Sequence, residues 1–164
     1  MTETGKNDQQ DVSLYEKLAE RTAELLDTGK KNLDEALKMA RDEMFAAEQF
    51  SRERLDKINE FVRRDIALMG ENFTKTSATV KSAVDPQRVS TGIQSVFGSI
   101  LNSTADLVGE WAERLEKNLE FRTGEVTSLG TLTCKSCKAE IHMKGTGHIP
   151  PCPKCHATVF RKSY

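Results

Sequence analysis

The chain has 164 residues, 30% charged and 37% hydrophobic, with a formal net charge of −1 and a mean hydropathy of −0.54. That length suits one ordinary domain plus a small module, and no apolar run approaches the length needed to span a bilayer, so no membrane partner is expected. No signal-peptide or lipidation motif is visible, which makes the cytoplasm the expected compartment.

Residues 1–11 are polar and aperiodic, and a disordered tail is expected there. Residues 12–122 read as a helical domain. Leu14, Leu18, Leu25 and Leu26 mark a first amphipathic helix, with Asp11 or Ser13 as its cap. Gly29 punctuates. Asn32 suits the cap of a second helix with Leu33, Leu37, Ala40 and Met44 on one face. Ser51 opens a third, where Leu55, Ile58, Val62, Ile66 and Met69 form the cleanest heptad-like stripe of the chain, a coiled-coil pattern. Charges such as Arg63, Arg64 and Asp65 are mixed in sign and read as a solvated face.

From 71 to 91 the composition shifts to Thr, Ser and Lys, which lowers helix propensity. Asp85-Pro86 interrupts the register, since proline disfavours helix at the residue before it and suits the first turn of a new one. A long amphipathic helix is then expected over 87–121, its stripe running from Val96 and Phe97 through Trp111 to Leu119. Such stripes must be covered. The fold expected is therefore mainly α: long amphipathic helices in an antiparallel hairpin or bundle, followed by a small β ribbon. Homo-oligomerisation through the helices is the other way to cover them.

At residue 123 the period changes to short alternation, and 123–164 reads as the ribbon, with strands around Leu132, from Glu140 to Lys144, and over 158–161. It carries all four cysteines, as Cys134-x2-Cys137-x14-Cys152-x2-Cys155. A Cys-x-x-Cys pair presents two sulfurs to one ion from a single tight turn, and two pairs complete the tetrahedron of a closed zinc site. Cys134, Cys137, Cys152 and Cys155 are thus the candidate ligands of one structural Zn²⁺. Iron in the same four thiolates is the alternative, and a thiol-redox centre a further one. His142, His148 and His156 are expected to stay outside the site, because four thiolates leave no vacancy. His156 follows Cys155 where a turn commonly needs φ > 0, which histidine tolerates better than most residues. Cys152→Ser is expected to unfold the ribbon and leave the helices intact, since so short a segment cannot fold on apolar burial alone.

Gly124-Glu125-Val126, Leu129-Gly130, the two cysteine pairs, Pro151 and Pro153, together with Val62-Arg63-Arg64-Asp65, resemble the YbeL-like zinc-ribbon-containing proteins of bacteria. The resemblance covers most of the chain and implies a helical region joined to a C-terminal ribbon, with the four cysteines as metal ligands. Ser128 and His156 depart from it where glycine is commonly seen. It implies no activity.

From Gly124 onward six cations face two acids, a net of +4 that leaves −5 for the rest of the chain. A zinc tetrathiolate, formally −2, reduces the ribbon to about +2. Three functions follow. The first is a non-enzymatic zinc-binding protein whose helices scaffold or oligomerise and whose ribbon docks a protein partner. The second is a nucleic-acid-associated accessory factor of transcription or translation, using the mildly basic ribbon, with Phe160 and Tyr164 as its few stacking aromatics. The third is a thiol-redox or iron-binding protein. No catalytic residue is assigned, because no nucleophile triad, phosphate-cradling loop or open-site zinc motif is present.

Overall fold

The computed structural model of the chain describes residues 3–28, 32–47, 50–76, 93–103 and 119–164. Four helices come first: α1 (Glu3–Asp27), α2 (Leu33–Ala46), α3 (Arg52–Thr76) and α4 (Ile93–Ser103). Asn32 caps α2, its side chain accepting from the Glu35 amide at 2.9 Å. Asp34 and Glu35 add negative charge where the helix dipole favours it. Ser51 precedes α3 and its Oγ accepts from the Arg54 amide at 3.4 Å.

The apolar stripes meet inside this helical body. α1 packs against each of the other three helices. Leu14, Leu18, Leu37, Leu55, Val62, Ile66, Phe97 and Ile100 are almost wholly removed from solvent, and burial of each such side chain contributes about 1.5–3 kcal/mol. Tyr15 lies against Phe97 with ring centroids 6.2 Å apart.

Two expectations change. Residues 3–11, expected as a disordered tail, belong to α1. Arg54 of α3 fixes this end, reaching the Asp11 carboxylate, the Gln10 side chain at 3.1 Å and the Asn7 carbonyl at 2.8 Å. The helix expected over 87–121 is described only as α4, and its predicted end is wrong: Leu119 and Glu120 are not helical and Phe121 begins a strand. Phe121 leaves the helix because its apolar partners lie in the ribbon, where it pairs with Phe160. Asp85-Pro86 and residues 104–118 lie outside the described residues, and with them the hairpin expected there.

The ribbon contains β1 (Phe121–Arg122), β2 (Val126–Thr127), β3 (Gly130–Cys134), β4 (Glu140–Met143), β5 (Gly147–His148) and β6 (Val159–Ser163). One antiparallel sheet has the order β1-β6-β3-β4, while β2 and β5 form a second pair. Its core is small: Phe121, Leu132, Ile149 and Phe160 close around Cys134 and Cys152. The boundary with the helices is shared, because Leu68 of α3 packs on this core and Val126 of β2 is buried in the helical one.

Candidate metal centre

Each Cys-x-x-Cys pair folds into the same turn. In the first, the Lys138 amide donates to the Cys134 carbonyl at 3.0 Å and the Cys134 amide to the Ala139 carbonyl at 2.8 Å. In the second, His156 donates to Cys152 at 2.9 Å and Cys152 to Ala157 at 3.0 Å. Both turns need a left-handed residue after the second cysteine, and Lys138 (φ 63°) and His156 (φ 59°) supply it. The expectation for His156 holds, and Lys138 is its counterpart. A side chain in this conformation costs roughly 1 kcal/mol that glycine avoids. His156→Gly is therefore expected to raise the denaturation midpoint of the metal-loaded protein, by about 1 kcal/mol or less. A lowered midpoint would contradict the turn geometry.

The two turns face each other across the end of the sheet. β3 ends at Cys134, and the second turn leads directly into β6. All four sulfurs lie within 4.8 Å of one another, with Cys134 3.6 Å from Cys155 and Cys137 3.5 Å from Cys152. Zinc–sulfur bonds of 2.3 Å in a tetrahedron place sulfurs about 3.8 Å apart, so the donor set fits a zinc ion without rearrangement of the chain. Cys134 and Cys152 are buried and Cys155 is exposed.

The turn amides prepare the thiols for that charge. Amides of Cys137 and Ser136 lower the Cys134 thiol, and those of Cys155 and Lys154 lower Cys152 to about 6. The Ala157 amide pulls Cys155 down, but its hydrogen bonds with Cys137, Cys134 and Cys152, with some loss of sulfur hydration, outweigh this and push it up to about 12. A zinc ion holds all four sulfurs as thiolates, so loading must displace any proton that the cluster still shares near neutrality. Zinc affinity is expected to fall about tenfold per pH unit for each proton displaced as pH drops from about 8 to about 6. Competition titrations at several pH values check this, and a flat profile would contradict it.

The histidines stay outside the thiol cluster. His142 meets Thr131 at 3.1 Å, and His148 lies between the Gly124 carbonyl (2.8 Å) and the Asp8 carbonyl of α1 (3.1 Å). Lys135 is engaged by Glu120.

The sequence reading missed a second polar centre, where the ribbon meets α1 and α3. Asp65, expected on a solvated face, is fully buried. Its Oδ2 accepts from Tyr15 Oη at 2.6 Å, Thr127 Oγ1 at 2.8 Å, the Ser128 amide at 2.8 Å, Ser128 Oγ at 3.1 Å and Lys162 Nζ at 3.3 Å. Lys162 Nζ also donates to Thr127 Oγ1 at 2.7 Å and Ser128 Oγ at 2.9 Å, so all three of its protons are used. Burial pushes this ammonium down to about 8 against the pull of Asp65, and burial with the Asp65 charge raises Tyr15 well above the usual phenol range, keeping it a donor. Beside it, Arg64 lies 3.8 Å over the Phe121 ring and bonds Glu125 at 2.6 Å.

A helical body carrying a four-cysteine antiparallel ribbon defines the class: the chain belongs to the zinc-ribbon containing domain family, whose profile matches residues 20–163. Among curated proteins it is similar to the uncharacterized protein YbeL of Escherichia coli strain K12, 22% identical over 148 residues that cover 90% of this chain and 92% of that protein. The YbeL proteins of Escherichia coli O6:H1 and O157:H7 match to the same extent. No solved structure matches.

Proposed function

We propose that this chain is a non-enzymatic zinc-binding protein in which one structural Zn²⁺ is held by Cys134, Cys137, Cys152 and Cys155, the helices act as scaffold, and the ribbon docks a protein partner. The observation that carries this reading is the closed set of four mutually adjacent sulfurs. Four thiolates complete the tetrahedron and leave no position for a substrate or an activated water. β4 supports a docking role: it is one of the two edge strands of its sheet, and among the described residues its outer edge has no paired strand. An open edge of this kind can accept an added strand.

Nucleic acid binding is less well supported. Phe160 is buried, Lys162 is committed to Asp65, and Lys135 to Glu120. The Tyr164 ring covers the Lys162 ammonium at 4.5 Å. This takes Phe160, Lys162 and Lys135 out of a surface for phosphates and bases, while Lys138, Lys144 and Lys154 stay exposed.

Affinity capture with the intact protein, run beside a chelated control, tests the proposal. A partner retained only by the metal-loaded form is the expected result. Salt-sensitive retention of nucleic acid in place of protein would overturn the docking role.

A further inference from the structure

The buried centre at Asp65 and the four thiols lie at opposite ends of the same two strands. β3 and β6 are paired so that Cys134 faces Phe160 at the metal end, while Leu132 faces Lys162 toward the other. β3 spans about 13 Å from Gly130 to Cys134. Beyond Gly130 the chain leads back to Ser128 and Thr127, whose hydroxyls join Lys162 on Asp65. Gly130 is required for this crossing. Its φ is +142°, and a Cβ there would lie 2.7 Å from Lys162 Cε.

Resting on the reading of the thiols as a zinc site, we propose that Asp65 is a positioning residue for that site: docking of Lys162, Thr127 and Ser128 on Asp65 tightens zinc binding, and zinc in turn secures the packing of α1 on α3. The physical reason is the size of the ribbon core, which is too small to hold β6 in place unaided. When the thiol end loosens, Lys162 withdraws from Asp65. A buried carboxylate then loses its nearer counter-charge, keeping only Arg64 Nε at 4.0 Å, and draws water into the contact that Tyr15 makes with it. The coupling is reciprocal by linkage, so whatever factor zinc contributes to docking, docking contributes to zinc affinity.

The test measures zinc affinity of the full-length chain by chelator competition, and hydrogen exchange of α1 and α3 amides with and without zinc. Asp65→Asn is expected to weaken zinc binding at least about tenfold, equivalent to about 1.4 kcal/mol, although it touches no thiol. Leu37→Ala, which removes packing from α2 away from the ribbon, is expected to change affinity less than about threefold. Chelation of the wild type is expected to speed exchange around Tyr15 and Asp65 and to leave α2 protected. Should Asp65→Asn not fold, Ser128→Ala and Gly130→Ala carry the same expectation with smaller losses. Variants that fold and bind zinc as tightly as the wild type would overturn the coupling and leave the zinc site standing. Equal losses in Leu37→Ala would overturn it as well. A wild type that takes up no zinc would overturn both readings.

Discussion

Cys152→Ser, introduced into the full chain, is expected to collapse the NMR dispersion of the ribbon, from Phe121 through Leu132 to Phe160. Structural zinc in units of this size supplies on the order of 10 kcal/mol. The few apolar side chains around Cys134 and Cys152 cannot replace it. The sequence alone suggested that the helices would be untouched by this loss. With Asp65 and Leu68 covered by the ribbon, the helices are instead expected to persist with a lower melting temperature. Retained dispersion at Leu132 and Phe160 in the variant would show that the ribbon folds without its fourth thiolate.

The second large effect is expected at Asp65. Asp65→Ala leaves Lys162 buried without a counter-charge and removes the acceptor of five hydrogen bonds. Breaking a buried ion pair from one side costs roughly 3–5 kcal/mol. Removing both charges in Asp65→Asn with Lys162→Met is expected to recover much of that loss, because no stranded charge remains. Denaturant unfolding of the zinc-loaded proteins measures both. A single variant within about 1 kcal/mol of wild type would mean that water reaches the pair and the contact contributes little.

Much of this architecture was legible before the structure. The stripes of α1, α2 and α3 and the Asn32 cap follow from 3.6-residue periodicity and from the chemistry of a helix start. The thiol spacing located the four-cysteine cluster because convergence of four sulfurs depends on local turns. The Asp65 centre was harder to see, since Tyr15, Thr127, Ser128 and Lys162 come from distant parts of the chain. A local signal did exist: Ile58, Val62, Asp65 and Met69 follow i, i+4, i+7, i+11 and place the carboxylate on the buried stripe of α3. The mixed charge around Arg63 and Arg64 concealed it. Phe121 was misplaced for a related reason, because an apolar residue at helical spacing looks the same whether its partners lie on its own helix or across a sheet.

Metal analysis and thiol counting on full-length protein, purified without added ions, bear most directly on the central claim. One zinc per chain is predicted, with four cysteines protected from alkylation until a chelator is added. Protein holding well under one metal ion, or cysteines joined in disulfides in the cell, would contradict it.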